Sequence, residues 1–212
     1  MRLILVRHGD AHAGLTGTIA GRTGCRGLTD LGREQAALLR DRFAAGAGFT
    51  ADVLVASELP RAIETAQIIA PGLGFDVVEQ DCDLCEVHTG EADGMTWNEY
   101  ERRFGKIDMV AEPDRVFAVG GDSWTSFHER VHRTLERLAD EHDGRTVVAV
   151  CHAGFIAATV SLVLGVDTRH VGARLLPTNT GLTEWRHDGD PARWTLSYYN
   201  DATHLMRLEA AR

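Results

Sequence analysis

The 212-residue chain predicts an α/β fold, a three-layer α/β/α sandwich with a mainly parallel central sheet and a late antiparallel hairpin. Three observations carry that prediction. Short apolar runs at 3–6, 52–56 and 146–151 are each followed by a helical pattern. The runs are apolar throughout rather than alternating, as strands buried on both faces are. Two late β segments flank Asp188-Gly189-Asp190-Pro191, which reads as a hairpin turn.

Taken in order, Leu3-Ile4-Leu5-Val6 is a buried strand that stops at Arg7-His8-Gly9. Residues 10–28, rich in Gly and Thr, read as a loop. Thr29 can N-cap a helix over about 30–45, with Leu31, Ala36, Leu38, Leu39 and Phe43 near one side. The second strand, 52–56, ends at Ser57-Glu58, and Pro60 suits the first turn of a helix running to about residue 70. Phe75-Asp76-Val77-Val78 reads as a third, short strand. Thr96-Trp97-Asn98-Glu99 has the spacing of a capping box and predicts a short helix within a less regular insertion. Asp122 or Ser123 starts a long helix to about residue 142, with Trp124, Phe127, Val131, Leu135 and Leu138 at steps of three or four. The strand 146–151 ends at His152-Ala153-Gly154 and leads into an apolar helix, 155–164. The late β segments cover about 180–187 and 193–199. The length fits one domain, 1–212, with a cap-like insertion at about 87–121.

Composition narrows the function. Hydrophobic residues at 44% and charged residues at 25% exclude a mainly disordered chain. No apolar run approaches the roughly 20 residues that span a bilayer. The N-terminal apolar core is too short for a signal peptide, so the expected location is cytoplasmic and the four cysteines are expected as reduced thiols. A formal charge of −9 disfavours nonspecific nucleic-acid binding. It also gives no long-range attraction for small anions, so an anion site has to be a local cationic pocket.

Three strands end in polar side chains: Arg7-His8, Ser57 followed by Arg61, and His152. Ligands of open α/β sheets bind outside the carboxyl ends of strands, so these groups can share one pocket. Two arginines and two histidines there suit a phosphoryl group. Guanidinium forks bind its oxygens, and a neutral imidazole can attack phosphorus.

These residues resemble a family. Leu5-Val6-Arg7-His8-Gly9 resembles the Arg-His-Gly signature of the histidine phosphatase superfamily, which includes the cofactor-dependent phosphoglycerate mutases. Leu28-Thr29-Asp30-Leu31-Gly32-Arg33-Glu34-Gln35-Ala36 resembles its first-helix motif, and 57–66, SELPRAIETA, its second arginine motif. Leu84-Cys85-Glu86 followed by Gly90-Glu91-Ala92-Asp93-Gly94 resembles its acid-residue loop. Gly120-Gly121-Asp122-Ser123 and Val150-Cys151-His152-Ala153-Gly154 complete the order.

The resemblance implies a phosphatase acting on a small phosphomonoester through a phosphohistidine. His8 is then the nucleophile. Arg7, Arg61 and His152 hold the phosphoryl oxygens, and Glu86 is the general acid and then the general base. Backbone N–H groups after His152, from Ala153 on, add an anion cradle, and Arg22 is a further candidate for the phosphate, the alternative for Gly21-Arg22-Thr23 being an exposed turn. The resemblance implies no cofactor, and no metal in the reaction. Two departures stand out. Asp10 replaces the usual Glu after Arg-His-Gly, and Gly14 stands where the family commonly has Asn, which removes a side-chain phosphate contact unless Thr16 or Thr18 supplies one. A phosphoglycerate mutase is the alternative. It is disfavoured by Asp10-Ala11-His12-Ala13-Gly14, where mutases carry Ser, Trp and Asn, and by the chain's shorter length.

Two further motifs carry competing readings. His128-Glu129-Arg130-Val131-His132 is a literal His-Glu-x-x-His, the zinc metallopeptidase signature. No downstream third ligand accompanies it, and the helical wheel turns Glu129 toward solvent. It therefore reads as a helix-surface pair. Cys82-Asp83-Leu84-Cys85 lacks a thioredoxin-like setting and has only His88 nearby as a further ligand, so it reads as coincidental thiols. A noncatalytic phosphoryl-binding module is disfavoured by the presence of both His8 and Glu86. Trp97, Tyr100, Phe104 and Phe117, mixed with Arg102, Arg103 and Lys106, give the insertion a partly apolar wall for a small phosphorylated partner.

Overall fold

The computed structural model describes residues 1–46, 48–109, 111–166, 174–189 and 192–209. Six strands form one sheet: β1 (Arg2–Arg7), β2 (Val53–Ala56), β3 (Glu79–Gln80), β4 (Thr146–Cys151), β5 (Leu182–Gly189) and β6 (Ala192–Asp201). Their spatial order is β3-β2-β4-β1-β5-β6. The first four run parallel, and β5 and β6 add the antiparallel pair. The expected sheet is therefore present. Of the expected hairpin turn, Asp190 and Pro191 lie outside the described residues, and Gly189 pairs with Ala192 across it.

Both faces of the central strands are dry, which explains their unbroken apolar runs. Leu3, Leu5, Val53, Val55, Val147 and Ala149 face one core, closed by α5 (Trp124–Glu141) and α6 (Ala153–Leu164). Ile4, Val6, Leu54, Ala56, Val148 and Val150 face the other, closed by α2 (Asp30–Ala44) and α3 (Pro60–Leu73). Thr29 caps α2 by accepting from the Gly32 N–H, and Pro60 stands in the first turn of α3. Ser123 caps α5, whose buried stripe of Phe127, Val131, Leu135 and Leu138 follows the predicted spacing. Among the described residues no helix is long and apolar enough to cross a membrane.

Three local expectations are corrected. Within 10–28 a short helix, α1 (His12–Thr16), forms and ends on Gly17 in the left-handed region. The ladder of β3 uses Glu79 and Gln80 rather than 75–78. Phe75 and Val78 pack on the flank of the α2/α3 core instead, while Val77 is exposed, so their apolar character reflects edge packing, not pairing. Helix α6 starts at Ala153, two residues earlier than expected, directly on the strand end.

The insertion has its own small core of Ile19, Ala92, Tyr100, Phe117 and Ala118. Its helix α4 (Trp97–Phe104) carries the full capping box, with Thr96 and Glu99 bonding reciprocally. The segment after β1 is stitched to it: Ile19 N–H donates to Met95 O at 2.8 Å and Trp97 N–H to Gly17 O at 3.3 Å.

Candidate active site

Strand register builds the site. Arg7 is level with Cys151, so His8 and His152 leave adjacent parallel strands at the same height. Ser57 leaves β2 beside them, its N–H donating to Val150 O. The two imidazoles, from opposite halves of the chain, lie 5.1 Å apart between centroids.

His8 is buried, and both ring nitrogens are engaged. Nδ1 lies 2.7 Å from Gly9 O, which can only accept, so Nδ1 carries the hydrogen. Arg61 Nε–H donates to Nε2 at 3.1 Å, so Nε2 presents its lone pair. Burial pushes this imidazole well below its ordinary pKa, and the Arg61 and Arg7 charges push the same way against the Gly9 carbonyl. His8 is thereby held as the neutral tautomer.

The surrounding groups converge. Arg61 is buried in the first turn of α3 and donates Nη1–H to Ala20 O at 2.8 Å. Arg7 donates Nη1–H to Pro177 O at 2.5 Å while its Nε is buried without a partner. Burial is the largest influence on its guanidinium and lowers its pKa. His152 Nε2 meets Ser57 Oγ at 2.7 Å, leaving a buried Nδ1 with no partner. Burial, then the Arg61 charge, holds this imidazole well below its usual value too. Glu86 reaches across to the start of α6, where its Oε2 accepts from Gly154 N–H at 2.9 Å. A Cβ on Gly154 would lie 2.2 Å from Glu86 Oε1, so a glycine is required for the carboxylate to dock there. Gly9 and Gly32 serve a similar close approach where β1 exits past α2: a Cβ on Gly32 would meet Asp10 O at 2.0 Å.

Arg7, His8, Arg61, Glu86 and Gly154 line one cavity of about 680 Å³, with Asn179 and Thr18. His152 sits behind it against His8, and Ala153 opens α6 beside Gly154. Trp97, Phe117, Met109 and Trp124 give the outer wall, and Arg174 also contributes. Tyr100 and Phe104 instead pack the insertion: Tyr100 is fully buried, stacked on Phe117 and bonded to its carbonyl.

Arg22 is placed differently from expectation. It is largely exposed, pairs with Glu58 and does not line the cavity. The reason is the turn that carries it. The Asp93 carboxylate gathers the N–H groups of Gly21, Thr23 and Gly24 at 2.7–2.9 Å, which fixes that turn against the insertion. Of the two threonines, Thr18 lines the cavity, whereas Thr16 donates to His12 O and to Thr18. Asp10 accepts from Thr29 Oγ1 at 2.6 Å.

Several positioning residues went unread in the sequence. Arg130 is buried and donates to the carbonyls of Asp83, Cys85 and Glu86 and to Asp122 Oδ2, at 2.7–3.1 Å. It thus fixes the backbone that carries Glu86. The available signal was an arginine inside the apolar stripe of α5, between Phe127 and Val131. Thr65 accepts from Gly9 N–H and Asn179 donates to His8 O, holding the His8 backbone from both sides. His128 and His132 line a different groove, where His128 packs at a tilt against Trp124. Among the described residues no third His, Cys, Asp or Glu gathers with them.

The chain is similar to known proteins along most of its length. The profile of the histidine phosphatase superfamily (branch 1) matches residues 3–202. A phosphoglycerate mutase-like protein 4 of Arabidopsis thaliana is 30% identical over 96% of this chain and 86% of its own length. A glucosyl-3-phosphoglycerate phosphatase of Mycolicibacterium vanbaalenii is 30% identical over 96% of both chains. The crystal structure of a phosphoserine phosphatase variant from Entamoeba histolytica, complexed with phosphoserine, superposes with a TM-score of 0.74. It is 25% identical, with 97% of this chain and 99% of that one covered.

Proposed function

Because the chain belongs to the histidine phosphatase superfamily, we propose that it hydrolyses a small phosphomonoester through a phosphohistidine on His8. The observation that carries this reading is the His8 tautomer: its Nε2 lone pair is fixed amid Arg7, Arg61 and His152. A phosphoryl group entering there takes the Arg61 N–H on its oxygens and presents phosphorus to the lone pair. Among the described residues Arg7 Nε–H is buried without a partner, and a buried donor requires one. A phosphoryl oxygen supplies it.

In the first step Nε2 attacks phosphorus, the bond to the leaving oxygen breaks, and the Glu86 carboxyl gives that oxygen its proton. In the second, Glu86 takes a proton from water as the water oxygen attacks phosphorus. The N–P bond breaks, inorganic phosphate leaves, and His8 and Glu86 return to their starting forms. The guanidinium charges stabilise the transferring group throughout, which is the role a metal ion plays in other phosphatases.

The rest of the cavity lining bears on the substrate class. Trp97, Phe117, Met109 and Trp124 suit a partly apolar body, and Arg174 a second anionic or polar group. The two phosphatase relatives, one bound to phosphoserine and one named for glucosyl-3-phosphoglycerate, support a small phosphorylated metabolite rather than a phosphoprotein. A panel of phosphomonoesters assayed with and without chelator, with the phosphoenzyme mapped by mass spectrometry, tests the reading. We expect chelator-insensitive turnover and phosphate on His8. Turnover abolished by chelation, or label at another residue, would refute it, and transfer to a second hydroxyl in place of water would assign a mutase.

A further inference from the structure

We infer that Cys82, Cys85 and His88 form a zinc site with one open coordination position, separate from the phosphoryl site. One ligand atom from each residue lies within 4.8 Å of the others. Cys82 Sγ and His88 Nε2 are 3.5 Å apart. Tetrahedral zinc, with Zn–S near 2.3 Å and Zn–N near 2.0–2.1 Å, sets neighbouring ligand atoms about 3.6–3.8 Å apart. One pair thus already has the required spacing, and the other pairs need only side-chain adjustment.

The local backbone explains the clustering. Cys82–Leu84 forms a 3₁₀ turn, closed by Cys85 N–H donating to Cys82 O at 3.0 Å. Side chains three apart eclipse in a 3₁₀ turn, so the two thiols stack on one side. Asp81 caps the turn and is itself tied to Arg137. Arg130 holds the carbonyls of Asp83 and Cys85 from below. The ligand-bearing segment is therefore braced by partners outside it, unlike an exposed loop that happens to contain cysteines.

A second shell is present for two of the three ligands. His88 Nδ1 lies 3.4 Å from Asp122 Oδ2, and Asp122 is fixed by Arg130 at 2.7 Å and by the His88 N–H at 2.9 Å. A carboxylate on the far nitrogen of a histidine orients its near nitrogen toward a metal. Ser57 Oγ–H donates to Cys85 Sγ at 3.2 Å, as hydroxyls do to bound thiolates. Cys85 is buried, Cys82 is exposed and His88 partly so, which gives an ion a dry anchor and a path in from solvent. Two thiolates and an imidazole select a thiophilic ion over calcium or magnesium, and three ligands with an open fourth position suit zinc. None of the three lines the catalytic cavity, so the ion supplies no ligand to the phosphoryl group.

The test uses the full-length, reduced protein. Equilibrium dialysis against Zn²⁺ with elemental analysis should give a bound equivalent that Cys82→Ser and His88→Ala each weaken by at least the ~10–100-fold that even an outer partner is worth. Both side chains are solvent-accessible, and the metal-free melting temperatures check that the variants fold. Replacement by Co²⁺ in the unaltered protein should produce thiolate-to-cobalt charge-transfer absorption, which imidazole or carboxylate sites do not give. His128→Ala should leave uptake unchanged. A cobalt spectrum without that band, or Zn²⁺ uptake in Cys82→Ser equal to the parent, would overturn the proposal. Neither readout depends on phosphatase activity, so failure here leaves the catalytic reading intact.

Discussion

Two histidine pairs make opposite use of similar chemistry. His8 and His152 come from opposite halves of the chain and meet at 5.1 Å because parallel register ends their strands together. His128 and His132 are one turn apart on α5 in a spacing known from metal sites, yet among the described residues they form no cluster of three metal-ligating side chains. His128 packs at a tilt against Trp124, and exposed His132 faces Glu136 at 3.4 Å. The first pair meets Ser57 and Arg61 from the β2–α3 connection, and the Gly9 carbonyl fixes the His8 ring. The difference teaches that spacing along one helix supplies two groups at most. A reactive site needs rigid elements that bring several groups to one point.

The largest effect should separate the pairs outright. On the proposed mechanism His8→Ala removes the attacking lone pair, so phosphoenzyme and turnover should both vanish. His128→Ala and His132→Ala should retain parental turnover. Steady-state kinetics and intact-mass measurement check this, and an active His8→Ala enzyme would break the comparison.

Glu86→Gln should come next. On the proposed mechanism it removes the proton donor but spares the nucleophile, so alkyl phosphates should lose about 10²–10⁴-fold in kcat. An aryl phosphate, with its stable leaving group, should lose less in the first step and accumulate phosphohistidine, because Glu86 also activates water. Equal, negligible losses on both substrates would move the role to another carboxylate.

Arg130→Met sharpens the comparison from within α5, since Arg130 lies between those two histidines yet serves the catalytic loop. Leaving its carboxylate and carbonyl partners unpaired in a buried setting should cost about 3–5 kcal/mol of stability, read as a lower urea midpoint at unchanged slope. A shift below ~1 kcal/mol would mean that solvent replaces the lost bonds.

That residue also marks the limit of sequence reading. The sheet, the helices and the strand-end groups were legible because burial on both faces leaves unbroken apolar runs, and what stops such a run is polar. Arg7, His8, Arg61 and His152 follow from that rule, and the family resemblance added Glu86. Arg130 and Asp122 were not legible, because their partners are backbone carbonyls and a neighbouring loop that no periodicity encodes. Arg22 was misplaced for the same reason: Asp93, distant in sequence, decides where its turn sits. The segment 75–78 had strand-like residues, but their burial comes from the flank of a core and not from a ladder.

The smallest expected effect is a pH dependence of stability, and its sign follows from burial. His8 and His152 have pKa values well below 6.5, and burial lowers His204 to about 4. Between about pH 4 and 6.5 the unfolded chain therefore binds protons at these positions that the native state does not. Stability then rises with pH across this window and is lost as pH falls through it. Asp122 and Asp201, held low by their bonds to His88 and Arg130 and to Arg42 against the cost of burial, have their effect only below the ordinary carboxylate value of 3.8, in a separate window. His152→Gln keeps a neutral hydrogen-bonding side chain but removes one titrating group. It should flatten the slope of melting temperature against pH between 4 and 6.5 while leaving the steeper fall below it in place. Parental slope in that variant would mean that water or a rearranged Ser57 lets His152 take up its proton in the folded state. The nucleophile shares this logic. Because His8 is held neutral by burial and by Arg61, its lone pair should persist on acidification well past the ordinary histidine midpoint. Phosphoenzyme formation measured from pH 7 down to 5 should show no loss centred on 6.5, and a loss centred there would place His8 in contact with bulk water.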